Sequence, residues 1–220
     1  MSSVESTCWT VIHAAAAGGA ADRDKLVRRY LGVVRTSLGA RWRGSPLVQD
    51  LDDAVQEVFV EFFRDGGALG AVSDGRVPNF RAFLFGVIRN VARRFESRPA
   101  RMAAPLTEIA VDDASLSELF DRTWARAIMA EAARLQERQA AQRGDEAVRR
   151  VELLRLRFEE NLPIRAIAER WGVDGAKVHH DYAQARQEFR TALVEVIAFH
   201  HPLSPAELEQ EAAALLRALS

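Results

Sequence analysis

Two neighbouring stretches of this sequence carry opposite charge, and each sets its charges at helical spacing. From Asp50 to Asp65 there are six acids and one base, a local charge of −5; from Arg81 to Arg101 there are six bases and one acid, a local charge of +5. A helix that gathers carboxylates on one side can hold the cations of a partner protein. Arginines interleaved with Asn90 and aromatic rings suit phosphates and unstacked bases. Opposite signs in adjacent segments therefore predict two surfaces serving two partners. The chain-wide charge of −1 hides this pattern.

A third feature points to duplex DNA. Leu162 to Phe189, LPIRAIAERWGVDGAKVHHDYAQARQEF, has helix-turn-helix spacing. Counting Ile164 as the first position, Ala168 falls at the fifth, where two helices must approach closely, Gly172 at the ninth and Val178 at the fifteenth. The turn needs a residue tolerant of positive φ, which glycine supplies without steric cost. Ile164, Ile167, Ala168 and Trp171 recur at helical intervals, as do Val178, Tyr182, Ala185 and Phe189. A unit of this kind places its second helix in the major groove.

Other chemistry finds little support. No Gly-rich phosphate loop, nucleophile–base set or metal-ligand spacing argues for catalysis, so the expectation is a protein that is not an enzyme and carries no cofactor. His179-His180 and His200-His201 lack the cysteine or helix-spaced carboxylate partners of a metal site, and the second pair reads as a helix end. Cys8 is the single cysteine, which excludes an internal disulfide. No apolar run approaches the roughly 20 residues of a spanning helix. The opening residues lack the basic start of a secretory signal, so a cytoplasmic location is expected.

The elements that must position these groups are helices, since strand signals are nearly absent. The spacing predicts helices over about Cys8–Ala17, with Thr7 as cap, Asp22–Leu38, Leu51–Arg64 and Phe80–Arg98, with loops at Gly44-Ser45-Pro46 and from Asp65 to Pro78. A long helical pattern resumes near Ser117, runs to Gln142 and breaks at Gly144; another helix begins near Asp145. Ser204-Pro205-Ala206-Glu207 reads as a capping box with proline at the first helical position. Its helix carries Leu208, Ala212, Leu215, Leu216 and Leu219.

In this order the chain resembles the sigma-70 superfamily of bacterial RNA polymerase sigma factors. The likeness is to the small extracytoplasmic-function (ECF) type, which retains only regions 2 and 4, in a subgroup with a short C-terminal extension. It covers roughly Trp9 to Ile197. DLDDAVQEVFVEFFR (Asp50 to Arg64) is similar to the family's DAEDLVQETF signature, which binds the coiled-coil clamp helices of the polymerase β′ subunit. That likeness implies polymerase contacts at Asp50, Asp52, Asp53, Gln56, Glu57 and Phe59. NFRAFLFGVIRNVARRF (Asn79 to Phe95) looks like the helix that melts and reads the −10 element, which implies DNA contacts at Asn79, Arg81, Arg89, Asn90, Arg93 and Arg94. Phe83 and Phe85 fit the core better than a base stack.

The second half resembles region 4, whose recognition helix reads the −35 element. Arg165, Ala176, Lys177, His180, Gln184 and Arg186 are the residues the likeness turns towards DNA. The sequence departs from the family pattern here: where members commonly read GISVGTVKSRLHRARKRL, this chain reads GVDGAKVHHDYAQARQEF, with His179, Asp181 and Gln184 at usually basic positions. Tyr182 stands for an inward leucine. The implied fold is all-α, with a region 2-like domain over 1–98, a linker over 99–116, a region 4-like helix-turn-helix domain over 117–201 and a helical extension over 202–220. The implied partners are core RNA polymerase, through β′ and the β subunit, promoter DNA, and an anti-sigma factor or regulatory kinase. Two alternatives stay open on the residues alone. One is a helix-turn-helix regulator acting without polymerase; the other is a sigma-like adaptor that titrates an anti-sigma partner.

Overall fold

The computed structural model describes residues 11–12, 14–15, 17–64, 80–97, 113–200 and 203–218. Thr7, Cys8, the Asp65–Pro78 loop, Asn79, residues 98–112, His201 and Leu219 lie outside the described residues. The helices are α1 (Ala20–Arg41), α2 (Leu51–Phe63), α3 (Phe80–Glu96), α4 (Asp113–Arg143), α5 (Asp145–Phe158), α6 (Ile164–Trp171), α7 (Gly175–His200) and α8 (Pro205–Ala218), with a 3₁₀ turn at Pro46–Asp50. Among the described residues there is no strand, and no helix is long and apolar enough to cross a membrane. The fold is all-α. It divides into two compact units, Met1–Ala127 with Phe199–His201, and Ile128–Ala198 with Pro202–Ser220. Helix α4 starts at Asp113, four residues before the spacing placed it, because Asp113 to Leu116 continues the helical run that Leu116 and Phe120 anchor in the core.

In the first unit, Leu26, Val33, Val34 and Leu38 of α1 meet Val55, Val58 and Phe62 of α2 and Leu84, Ile88 and Val91 of α3 in the buried core. Rings fill its middle: Tyr30 lies 4.8 Å from Phe80 and stacks on Trp124 at 5.8 Å, while Phe62 meets Phe80 edge-on at 5.9 Å. His200, 1% exposed, joins this cluster; its Nδ1 and the Tyr30 hydroxyl share a hydrogen bond of 2.9 Å. Helix α7 ends at His200, as the sequence suggests, and its last residues also belong to the aromatic core of this unit. At the C-terminal ends of α1 and α3, buried Arg41 donates to Glu96 at 2.5 and 2.9 Å, and the Trp42 indole N–H donates to the same carboxylate at 3.0 Å.

In the second unit, Leu153 and Leu156 of α5 pack with Ile167 and Ala168 of α6 and Val178 of α7, and Leu162, Ile164, Trp171, Val173 and Tyr182 close over them. Gly172 ends α6 in the left-handed region at φ 62°, as the helix-turn-helix spacing requires, and a side chain there would be strained. Gly144 separates α4 from α5 at φ 102°. Ahead of α8 the capping box forms: Ser204 N–H and Oγ donate to Glu207 at 2.8 and 2.6 Å, and these bonds hold the Glu207 carboxyl below its ordinary pKa.

Burial, with the nearby Arg29 charge adding to it, pushes His200 down from 6.5 to about 3. Between those values the unfolded chain binds the extra proton, so stability is full above the unfolded pKa and falls as pH drops through the window, by about 1.4 kcal/mol per unit. The first unit is expected to lose about 2 kcal/mol of stability between neutral pH and about pH 5. His200→Gln, which keeps a partner for Tyr30, should flatten this slope in denaturant titrations.

Candidate functional site

The acidic residues do not form one free surface. Asp52 is exposed but tied to α1 through Arg35 at 2.5 Å, and Glu57 turns towards α3, 3.6 Å from Arg94. Asp50 is half-buried where the 3₁₀ turn meets α2, and Phe59 is half-buried with its ring stacked on Phe63 at 6.4 Å. What remains outward is a ridge of Asp53, Gln56 and Val60, the last 51% exposed. Asp53 has no ion pair among the described residues. Val60 was not singled out by charge patterning, although it follows Gln56 by one helical turn.

On α3, Phe80, Leu84, Val87, Ile88, Val91, Ala92 and Phe95 face the core, which turns Ala82, Gly86, Arg89, Asn90 and Arg93 outward or to the rim. Phe83 packs 5.7 Å from Phe62 and Phe85 packs 5.2 Å from Phe120, so both rings serve the core's edge. The expected arginines separate into four settings. Arg81 is half-buried and ion-paired with Asp121 of α4. Arg94 is held between Glu61 at 3.2 Å and Glu57 at 3.6 Å. Arg93 and Asn90 are exposed. Arg89 lies with its guanidinium 5.9 Å from the Phe85 ring, and its buried Nε has no hydrogen-bond partner among the described residues. An unmet buried donor costs about 1–3 kcal/mol, the kind of group that an incoming oxygen satisfies.

Gly86 sits in the middle of this outward face. A Cβ built there meets nothing within 4 Å, so packing gives no reason for its absence. The missing side chain leaves α3 backbone open beside Arg89, Asn90 and Arg93, room for a flat or bulky group to approach closely. Sequence reading passed over Gly86 because its openness shows only once neighbouring helices are placed.

The second candidate surface is the outward side of α7. Ala176, Lys177, His179, His180, Ala183, Gln184 and Arg186 are all exposed there, while Val178 and Ala185 are fully buried and Tyr182 is half-buried against the core, as expected. Arg165 of α6 is exposed and bonded to Glu169 at 3.0 Å, Lys177 lies 3.3 Å from Asp181, and Arg186 lies 5.8 Å from the Tyr182 ring. The position of α7 against α5 is fixed by Arg150 and Glu188, both nearly buried, with contacts of 2.8 to 3.1 Å. Hydrogen bonding to Glu188 holds the Arg150 guanidinium protonated more firmly than usual. Gln136 of α4 donates to the Ala185 carbonyl at 3.1 Å, and Arg190 binds Glu209 of α8 at 2.6 Å. Among the described residues no group of three His, Cys, Asp or Glu side chains stands where it could hold a metal ion.

The sequence matches no protein-family model and no curated protein. Function therefore rests on the residues themselves.

Glycine in a helix interior costs about 0.5–1 kcal/mol relative to alanine. Gly86→Ala is accordingly expected to raise the unfolding free energy by about that amount. Chemical denaturation measures it; a loss of stability would show that the fold itself needs the glycine.

Proposed function

We propose that the protein is an RNA polymerase sigma factor of the ECF type, which binds core polymerase and directs recognition and opening of promoter DNA. The observation that best supports this is the pairing of α2 and α3 in one helical unit, with outward faces of opposite character. Asp53 and Gln56 on the α2 ridge make the first contacts with the basic clamp helices of β′, and Asp52 and Glu57 join when they leave Arg35 and Arg94. Arg89, Asn90 and Arg93, around the open backbone at Gly86, take the phosphates and unstacked bases of the −10 element. The second unit lays α7 in the major groove of the −35 element. Strand separation draws on binding energy, and no step needs a cofactor.

Transcription reconstituted with core polymerase tests this directly. Promoter-dependent transcripts are expected only when the protein is added; a protein that bound duplex tightly alone and gave no transcript would instead be a helix-turn-helix regulator independent of polymerase. Replacing Asp52 and Asp53 together by Ala should weaken association with core polymerase by about tenfold, since both carboxylates are exposed, Asp53 on the ridge and Asp52 beside it on Arg35, where they steer docking. Thermal melting of the free protein should be nearly unchanged. Undiminished association would remove α2 from the polymerase interface.

A further inference from the structure

The helix-turn-helix carries no excess of fixed positive charge. From Asp145 to Arg190 the chain has nine Lys or Arg and nine Asp or Glu, a balance of zero with neutral histidines. Six of those nine cations are held by carboxylates of the protein itself: Arg150 by Glu188, Arg155 by Glu152, Arg165 by Glu169, Arg170 by Glu160, Lys177 by Asp181 and Arg190 by Glu209. Two more lie against rings, Arg149 4.5 Å from Trp171 and Arg186 5.8 Å from Tyr182. A duplex reader needs phosphate neutralisation for most of its affinity. The side chains on the outward face of α7 that can still gain charge are His179 and His180, both exposed and both in the first two turns of the helix.

We propose that His179 and His180 are phosphate contacts of this unit and that duplex binding there takes up protons; the proposal rests on α7 facing duplex DNA. Histidine changes charge between about pH 5 and 8, and a phosphate brought beside an imidazole favours its charged form. Each contact then draws a proton from solution as it forms, without covalent change. The surroundings allow this. His179 borders an open concavity of about 440 Å³ at the turn, with Arg165 and Glu169 of α6 and Asp174 of the turn on its rim. Glu169 on that rim is engaged by Arg165. His180 lies one turn after Ala176 and Lys177 and one turn before Gln184, and Lys177 is held by Asp181. Arg150 of α5 and Arg143 of α4 face α7 at Glu188, about two turns further on; Glu188 balances Arg150, and Arg143 lies more loosely at 3.9 Å.

The full-length protein, titrated onto a short random-sequence DNA duplex at fixed ionic strength, tests this by fluorescence anisotropy. The expected result is an affinity that rises by at least about tenfold between about pH 8 and about pH 6. His179→Gln with His180→Gln should lose that rise, and His179→Lys with His180→Lys should bind tightly at both values, which rules out misfolding as the cause. A wild-type affinity that changes by less than about twofold over this range, or a Gln variant with undiminished pH dependence, overturns the proton-linked contact and leaves α7 as a duplex reader. If wild type and the Lys variant, both folded by circular dichroism, fail to bind duplex at either pH even with core polymerase present, the underlying reading of α7 falls as well.

Discussion

Arg41 lies almost out of solvent at the end of α1, and Glu96 meets it there from the end of α3 with two hydrogen bonds, beside a third from the Trp42 indole. Taking the Arg41 charge out of water costs several kcal/mol, which the attraction of the partly exposed Glu96 roughly offsets. Little net stability is gained, but removing Glu96 would strand the buried Arg41 charge at a cost of about 3–5 kcal/mol. The pair therefore works as a fixed point. With the ends of α1 and α3 pinned, and Leu84, Ile88 and Val91 packed inward, α3 turns Ala82, Gly86, Arg89, Asn90 and Arg93 outward or to the rim. Everything proposed for that face depends on this setting of the helix.

The second unit repeats the device. Arg150 and Glu188 form a nearly buried pair between α5 and α7, and the Gln136 amide adds a bond to the α7 backbone at Ala185. Both units thus use a charged pair within an apolar interface to fix the rotation of the helix that carries the candidate binding residues. Apolar contact alone tolerates small rotations about a helix axis; a two-pronged guanidinium–carboxylate contact does not.

Much of this was legible in the sequence, and for physical reasons. Gly172 marked the turn because few residues other than glycine adopt positive φ cheaply, and Ser204 and Glu207 marked the start of α8 because their reciprocal bonds are local. The core faces of α2 and α3 followed from apolar spacing. Long-range pairings were hidden. Charge counting placed Glu96 as a stray acid in a basic segment, when it is the partner of Arg41, 55 residues away. It also treated the acidic and basic helices as separate surfaces, whereas Arg94 joins them through Glu57 and Glu61. His200 is the helix end that the sequence marks, but its place in the aromatic core stayed hidden, because nothing local announces Tyr30 as its neighbour.

The position of Arg94 between two carboxylates alters how salt would act on this protein. A lysine or arginine in open solvent that meets a phosphate lets condensed cations leave the polyanion, and salt opposes binding in proportion to the number of such contacts. Arg94 must first leave Glu57 and Glu61, and those carboxylates then gather cations of their own. Ions released on one side are taken up on the other. A polyanion that recruited this arginine would show a salt dependence counting fewer contacts than the surface makes.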